Sequence, residues 1–254
     1  MLGRIEAKIL KTSQAFFYYL AWMVQYLISL SFFRIKIEGR ENLPKKGKFI
    51  LAANHQNFFD GFLLAYASGP YRKISFLIAK RALKTKWSQI VARLIGSVLI
   101  NEGAEEYQQA LKKLNRILTH GGAIGIFPEG NVTNNKIPTR FKGGVAKLSY
   151  DSNTEVIPVY LTGTYEARYF KYWLKRPEIL IRIGKPIELY KHVKNGNNLD
   201  EAAAFLREKT IELMNLNEQQ NIVKLNPGES DKLVNIHNPA KNDFLGKAQN
   251  FNKI

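Results

Sequence analysis

The chain has 254 residues, which is enough for one large α/β domain with appendages and short for two. It contains no cysteine, which excludes disulfides, thiolate metal sites and cysteine nucleophiles. The formal net charge of +17 suits nucleic acid, an anionic membrane surface or acidic substrates, and charge alone does not choose among these partners.

The N-terminal segment carries the strongest membrane signal. Residues 12–33 form an uncharged run of 22 residues. As a helix this run is about 33 Å long, close to the thickness of a bilayer core. Basic residues lie on both sides of it, and cytoplasmic flanks attract Lys and Arg. We therefore expect residues 1–31 to form a shallow or re-entrant membrane anchor at the cytoplasmic face of the cell membrane. A spanning helix and a buried core helix are the alternatives.

Short apolar strands alternate with amphipathic helices along the rest of the chain. Strands are predicted at 32–38, 48–54, 74–79, 97–100, 123–127, 156–161 and 179–183, and helices at 61–67, 86–94, 105–118 and 200–216. This alternation predicts a layered α/β domain, residues 32–217, with a largely parallel mixed sheet flanked by helices and preceded by the N-terminal membrane-docking helical segment. Residues 218–254 are rich in Asn and Gln and lack periodicity, so we expect a disordered or loosely docked tail.

One histidine is followed at short range by a carboxylate. Residues 54–60, Asn-His-Gln-Asn-Phe-Phe-Asp, lie at the end of a predicted strand, where parallel sheets carry their functional loops. On a regular helix, two side chains five positions apart project about 140° apart around the axis. Pairing His55 with Asp60 therefore requires a turn before the helix. In that geometry Asp60 accepts a hydrogen bond from one ring nitrogen and leaves the other as a general base. Alternatively, Asp60 caps the helix at 61–67 and His55 fills a loop.

Two further segments combine a buried strand with turn residues. Residues 124–131, Ile-Gly-Ile-Phe-Pro-Glu-Gly-Asn, form a rigid turn that can direct Glu129 and backbone N–H groups into a cleft. Asn131 stands where a phosphate loop requires Lys, which argues against a nucleotide site. Residues 156–164, beginning Val-Ile-Pro-Val, place Pro158 inside a strand, which predicts an edge strand or a cleft wall.

In this order, Asn-His-x4-Asp, Phe-Pro-Glu-Gly and Val-Ile-Pro-Val resemble the motifs of the glycerolipid acyltransferase family typified by 1-acylglycerol-3-phosphate acyltransferase. The resemblance covers residues 32–185. It implies a membrane-associated O-acyltransferase of phospholipid synthesis, which moves a fatty acyl group from acyl-carrier protein or acyl-CoA to a lysoglycerolipid hydroxyl. The partners it implies are membrane lipids and the thioester donor, which is a cosubstrate. It implies no further cofactor, no metal and no nucleic acid.

The same resemblance implies roles for individual residues. It makes His55 the general base and Asp60 its orienting partner, and it places Glu129 and Gly130 in acceptor binding. Lys80 lies in a segment similar to the family's stretch before a basic, Leu-containing helix, and we expect it to contact substrate.

Two motif positions depart from the family. Its second block usually ends in Arg, whereas Asn101 follows the strand here, and its third block usually continues Gly-Thr-Arg, whereas Asn131 and Val132 follow Gly130. Asn101 and Asn131 are candidate substrate-binding residues at these positions. Both arginines are expected to hold the acceptor's phosphate by paired, charge-assisted hydrogen bonds. The cations available to substitute are Lys80, Arg140 and Lys142. Otherwise these cations form a solvated or membrane-facing surface.

Three rival functions remain open at this point. The first keeps the chemistry and changes the acceptor to a lysophospholipid or an amino-acid lipid. The second is a catalytically idle membrane-binding protein, which the His55 and Asp60 pair disfavours. The third is a nucleic-acid-binding protein, for which the charge is the motive but no motif exists. Serine-hydrolase and zinc-protease motifs are absent from the sequence.

Overall fold

The computed structural model describes residues 2–70, 72–101, 103–133, 137–167 and 169–225. The chain divides into two compact units, Met1–Met214 and Asn215–Ile254. The first unit contains the whole sheet and the N-terminal helix. Of the second unit, the structure describes the helical residues 215–225.

Strands and helices alternate through the first unit. The strands are β1 (Arg34–Glu38), β2 (Phe49–Ala53), β3 (Ile74–Ala79), β4 (Val98–Ile100), β5 (Ala123–Ile126), β6 (Val156–Thr162) and β7 (Glu178–Ile183). The α-helices are α1 (Leu2–Phe32), α2 (Asp60–Ser68), α3 (Lys86–Leu94), α4 (Ala104–Thr119), α5 (Gly144–Ser152), α6 (Thr164–Ala167) and α7 (Leu199–Leu225). Short 3-10 helices occupy Arg40–Asn42, Lys80–Ala82, Phe170–Lys175 and Leu189–His192.

The strands form one mixed sheet in the order β1-β7-β6-β2-β5-β3-β4. Strands β6, β2, β5, β3 and β4 are mutually parallel, whereas β7 pairs antiparallel with β6 and parallel with β1. The predicted α/β architecture with a largely parallel mixed sheet is therefore confirmed, and each predicted strand overlaps an observed one.

Apolar layers cover both faces of this sheet. In the central strand β2, Ile50 and Ala52 point into one layer, whereas Phe49, Leu51 and Ala53 point into the other, as the period of two requires. Helices α4, α5 and α7 contribute side chains to the first layer, and α2 contributes to the second. Because helices cover both faces, β2 is apolar at every position.

Two sequence expectations differ from the structure, and helix α5 has no counterpart among the predicted helices. The helix expected at 200–216 continues to Leu225, so the first part of the expected tail is helical, and residues 226–254 lie outside the described residues. Pro158 does not mark an edge strand, since β6 lies between β7 and β2. The Pro158 carbonyl accepts from Gly184 N, so its nitrogen faces the end of β7, where pairing stops.

Helix α1 is continuous and packs on the domain through one face. Tyr18 is buried and donates a hydrogen bond to the Arg72 carbonyl at 2.9 Å. The rings of Trp22 and Tyr26 each stack on Tyr66 of α2, with centroids 6.3 and 6.0 Å away. Within the described residues, no helix is both long enough and apolar enough to cross a membrane.

A close approach between β3 and β5 explains a glycine in the sheet. Phe76 of β3 is the register partner of Gly125 in β5. A Cβ atom on Gly125 would lie 2.2 Å from the Phe76 ring, a distance that real contacts do not reach. A Cβ atom on Gly61 in α2 would meet the same ring at 3.8 Å, which is ordinary contact. A methyl group would therefore clash with the Phe76 ring at Gly125 and fit beside it at Gly61.

We predict that Gly125→Ala lowers the free energy of unfolding by about 1–3 kcal/mol, because the Phe76 ring must move out of a packed layer. Gly61→Ala is the matched control, and its effect should be neutral or stabilising by up to about 1 kcal/mol, since alanine favours helix. Urea unfolding followed by circular dichroism measures both variants. Equal losses in the two variants would contradict the assigned packing.

Candidate active site

Four of the candidate residues follow the carboxyl ends of parallel strands. His55 follows β2, Lys80 follows β3, Asn101 follows β4 and Glu129 follows β5. Parallel strands end at the same edge of a sheet, and this edge is where open α/β sheets bind ligands. The topology therefore assembles residues that lie far apart in the sequence.

Asn54, the residue before His55, fixes the end of β2. Its buried side chain makes two hydrogen bonds with Leu161 of β6. Asn54 Nδ2 donates to the Leu161 carbonyl at 2.9 Å, and Leu161 N donates to Asn54 Oδ1 at 2.7 Å. His55 therefore leaves the sheet from a position that is fixed against the neighbouring strand.

The Asp60 carboxylate organises the turn between β2 and α2. Asp60 is fully buried, and its Oδ2 atom lies 2.8 Å from Nδ1 of His55. The same oxygen accepts hydrogen bonds from the backbone N–H groups of Gln56 at 2.7 Å and Asn57 at 2.8 Å. The turn required for this pairing is present, since Asp60 N donates to the Asn57 carbonyl.

The helix-cap alternative for Asp60 is wrong. Asp60 is the first residue of α2, and its carboxylate accepts from residues that precede the helix. The cap position is Phe59, which makes no side-chain cap hydrogen bond. With Nδ1 of His55 donating to Asp60, the neutral imidazole has a free electron pair on Nε2, which is the geometry of an oriented general base.

An aromatic stack supports the imidazole ring. The His55 ring lies on Phe127, with centroids 4.0 Å apart and planes inclined by 13°. Phe127 in turn lies parallel to Phe76, at 6.3 Å between centroids. Phe127 is the first residue of the Phe-Pro-Glu-Gly motif, so this motif contributes a surface against which the His55 ring is packed.

Glu129 is buried beneath the His55 loop and binds it through the backbone. Its Oε1 accepts from His55 N at 2.9 Å. Its Oε2 accepts from Thr139 N at 3.0 Å, from the Thr139 hydroxyl, and from the Thr133 hydroxyl at 3.2 Å. Thr133 N also donates to the His55 carbonyl at 2.8 Å. Both carboxylate oxygens are thus occupied by internal donors, an arrangement that positions His55.

Asn101 and Lys80 lie at neighbouring strand ends. Asn101 N donates to one Glu106 carboxylate oxygen at 2.8 Å, and Asn101 Nδ2 donates to the other at 2.6 Å. The pKa of Glu106 is lowered by these hydrogen bonds, with a further contribution from the charge of Lys80. The Asn101 side-chain amide is therefore engaged at the start of α4.

Two of the three cations available to substitute, Arg140 and Lys142, occupy different surroundings. Arg140 forms an ion pair at 3.0 Å with Asp200, and the two side chains are 80% and 66% exposed. The Lys142 ammonium instead lies against Gly130, where an added Cβ atom would be 2.7 Å from Nζ. The structure therefore separates Arg140 from Lys142, although they are two residues apart in the sequence.

Arg81 lies at this edge of the sheet and was not singled out in the sequence. Its Nη2 donates to Asn131 Oδ1 at 3.2 Å, which joins the segment after β3 to the turn after β5. Its position next to Lys80, directly after a strand, was the available signal, but the partner strand was unknown. Among the described residues, no group of three or more His, Asp or Glu side chains is arranged to hold a metal ion.

We predict that Glu129→Gln lowers the free energy of unfolding by about 2–4 kcal/mol, because all partners of this buried carboxylate are donors and the amide NH₂ presents a donor to them. Glu105→Gln removes a similar charge from the exposed surface of α4 and should change stability by less than about 0.5 kcal/mol. Urea titration of both variants gives the comparison. A Glu129→Gln protein as stable as the control would mean that these hydrogen bonds do not hold the loop.

Comparison with known proteins connects this site to a family. The family model described as "Acyltransferase" matches residues 34–162, which include the His55 and Asp60 turn and the Phe-Pro-Glu-Gly motif. A 1-acyl-sn-glycerol-3-phosphate acyltransferase of Chlamydomonas reinhardtii is 33% identical over 139 residues, covering 52% of this chain and 40% of the relative. A probable enzyme of the same name from Mycoplasma pneumoniae is 28% identical over 134 residues, covering 52% of this chain and 50% of the relative.

One curated relative and one solved structure match over a longer span. The Bacillus subtilis 1-acyl-sn-glycerol-3-phosphate acyltransferase is 24% identical over 186 residues, covering 71% of this chain and 88% of the relative. The crystal structure of the 1-acyl-sn-glycerophosphate (LPA) acyltransferase PlsC from Thermotoga maritima has the same fold, with a TM-score of 0.58, 20% identity and coverage of 84% and 83% of the two chains. The chain spans about half the length, or less, of the first two relatives above. Because the family model matches half of its residues, this chain belongs to the acyltransferase family.

Proposed function

We propose that this chain is a membrane-associated O-acyltransferase that moves a fatty acyl group from acyl-carrier protein or acyl-CoA to the free hydroxyl of 1-acylglycerol-3-phosphate. The observation that carries the proposal is the hydrogen bond between His55 Nδ1 and the buried Asp60 carboxylate, at the edge of the sheet where ligands bind. The names of the relatives above support the acceptor. On this proposal the enzyme acts in phospholipid synthesis, at the cytoplasmic face of the cell membrane.

The mechanism is direct transfer, without an acyl-enzyme. His55 Nε2 takes the proton from the acceptor hydroxyl as its oxygen attacks the thioester carbonyl, and Asp60 stabilises the imidazolium that forms. Collapse of the tetrahedral intermediate breaks the carbon–sulfur bond, and the imidazolium returns the proton to the departing thiolate. Backbone N–H groups of the turn after β5 stabilise the oxyanion. The Gly130 N–H is not among them, because it donates to the Phe127 carbonyl at 3.0 Å.

Exposed apolar side chains support membrane docking next to this site. Helix α1 packs on the domain through one face and exposes large apolar residues on another, among them Phe16, Leu20, Met23, Leu27 and Leu30. Phe58, Phe59 and Phe62 are also exposed and follow His55 directly in the chain. The Gln25 side chain of α1 donates to the Phe62 carbonyl, so the two apolar groups adjoin. On this proposal a lipid acceptor and the acylated product remain in the bilayer while the hydroxyl reaches His55.

Helix α1 then has two roles, in the domain's packing and in docking. Deleting residues 1–31 removes the ring stack on Tyr66 and the hydrogen bond from Tyr18 to Arg72, so deletion does not test docking alone. Substitutions confined to the exposed face of α1 test docking alone.

A second candidate keeps the reaction and changes the acceptor. Val132 is an exposed aliphatic residue where the family's third block usually has Arg, and the Asn101 amide is engaged with Glu106. A lysophospholipid or an amino-acid lipid, which carries no phosphate monoester, does not need those arginines. A panel of lysolipids incubated with labelled acyl-carrier protein or acyl-CoA, with products identified by mass spectrometry, distinguishes the two candidates.

We predict that His55→Ala abolishes acyl transfer. Asp60→Asn should lower kcat about 10²- to 10⁴-fold, because a neutral amide stabilises the imidazolium less than a carboxylate does and fixes the ring tautomer less firmly. His120→Ala is the control, since His120 is exposed at the end of α4 and bonded to its own helix. Steady-state transfer assays on folded variants measure the effects. Turnover of the His55→Ala protein at a rate near the wild type would refute the mechanism.

We predict that the triple variant Leu20→Gln, Met23→Gln and Leu27→Gln binds anionic vesicles at least about tenfold more weakly at high salt. These exposed side chains each contribute about 1.5–3 kcal/mol when buried in an apolar phase. High salt screens the basic surface, so the apolar contribution dominates. Tyr150→Gln on α5, which packs on the other face of the sheet, is the control. Vesicle sedimentation measures binding, and an unchanged triple variant would assign docking to another surface.

A further inference from the structure

A side chain of helix α7 contacts the segment that holds Glu129. Arg207 Nε donates hydrogen bonds to two consecutive backbone carbonyl groups, that of Pro138 at 2.8 Å and that of Thr139 at 2.9 Å. Arg207 is half-buried and Pro138 is buried, so both bonds are partly shielded from solvent. Helix α7 carries none of the motifs singled out in the sequence, so this contact connects the site with a distant part of the chain.

One peptide unit joins the Arg207 guanidinium to the Glu129 carboxylate. The Pro138 carbonyl and the Thr139 N–H belong to the same trans peptide bond, in which the two groups point in opposite directions. The carbonyl accepts from Arg207, and the N–H donates to Glu129 Oε2 at 3.0 Å. The peptide thus lies between a cation and an anion, and each of its ends faces the charge that it binds. Hydrogen bonds in such a chain polarise and strengthen one another.

The Glu129 carboxylate continues this chain to the His55 loop. Its Oε1 accepts from His55 N at 2.9 Å. Thr139 supplies two of the three donors to Oε2 among the described residues, its N–H and its hydroxyl, and Thr133 supplies the third. A displacement of Thr139 therefore moves the carboxylate, and a displacement of the carboxylate moves the backbone that carries the imidazole.

The segment 138–142 is fixed at both of its ends. At the far end, Lys142 N donates to the Pro128 carbonyl at 2.9 Å, and the buried Phe141 ring packs in the core beside α4, α5 and α7. At the near end, Arg207 binds the carbonyls of Pro138 and Thr139. The end that contacts Glu129 is therefore the end that Arg207 supports.

We propose that Arg207 is a positioning residue of the acyl-transfer reaction, which acts on His55 through the Pro138-Thr139 peptide and the Glu129 carboxylate. The hydrogen bonds of Arg207 end at the backbone of this segment, so its effect on the general base passes through Glu129. This inference rests on the proposed function, because it concerns the rate of that reaction. It extends the functional unit from the motif segments to α7.

Steady-state kinetics of Arg207 variants is the first test. Arg207→Ala should lower kcat about 10- to 100-fold, because a small displacement of a catalytic group reduces the rate strongly. The KM values of acceptor and donor should stay within about twofold, since the general base acts in the transition state. Arg207→Lys keeps a charged donor and should recover part of the loss. Lys209→Ala is the control and should leave kcat unchanged, because Lys209 lies on the same helix and pairs with Glu212.

A double-mutant cycle separates this path from a general structural effect. If Arg207 acts through Glu129, Arg207→Ala should lower kcat by less than about threefold in a Glu129→Gln protein. Equal fold losses in the two backgrounds would show that Arg207 acts independently of Glu129 and would overturn the inference. An unchanged kcat of the Arg207→Ala protein would overturn it as well.

Amide hydrogen exchange tests the same path without an activity assay. In the Arg207→Ala protein, Thr139 N–H and His55 N–H should exchange at least about tenfold faster, because their hydrogen bonds to Glu129 open more often. Leu161 N–H, which donates to Asn54, is the internal reference and should not change. If the wild type transfers acyl groups to no lysolipid, the proposed function fails, and the exchange rates alone decide whether Arg207 positions His55. Unchanged rates at both amides would refute that role in either case.

Discussion

A buried carboxylate is costly unless donors surround it, and that requirement governs the loop that carries the catalytic candidates. The Oδ2 atom of Asp60 accepts two backbone N–H groups and faces the His55 ring nitrogen. A regular helix cannot bring Gln56 N and Asn57 N to Asp60, so the chain must turn before α2. That same turn brings the imidazole to the carboxylate. The geometry of the pair therefore follows from satisfying one oxygen of a buried carboxylate, whereas the other oxygen, Oδ1, is buried without a hydrogen-bond partner among the described residues.

A second buried carboxylate constrains His55 from the opposite side. One carboxylate oxygen of Glu129 accepts a hydrogen bond from His55 N. The other accepts from the hydroxyls of Thr133 and Thr139 and from Thr139 N. Phe127, two residues before it, supports the ring of His55. The Phe-Pro-Glu-Gly motif thus serves His55 twice, through an aromatic surface and through a charge-assisted hydrogen bond. This explains why the family motifs are separated in sequence and still act together, and it assigns Glu129 a positioning part in the proposed reaction.

The proposed reaction also explains the placement of apolar surface. Helix α1 packs aromatic rings on α2 and leaves a row of large apolar side chains exposed. Exposed phenylalanines also lie before α2 and in its first turn, next to the His55 turn. A soluble substrate would not require this arrangement, whereas an acceptor with a fatty chain benefits from it.

Local pattern alone determined the strands, the principal helices and the α/β class, because the period of two and the amphipathic period are properties of short segments. The five-residue spacing between His55 and Asp60 left a pair and a helix cap as alternatives, and the resemblance to the acyltransferase family favoured the pair. The tertiary structure decided the rest. It placed Pro158 inside the sheet and started α5 at a Gly-Gly pair. It hydrogen-bonded Glu129 to the His55 backbone, and it placed Lys142 beside Gly130 and Arg140 in a surface ion pair. It also brought Arg81 to Asn131, 50 residues away in the sequence. These features depend on which strands are neighbours and on which donors a buried charge can reach, and both are set by contacts between distant segments that no local pattern encodes.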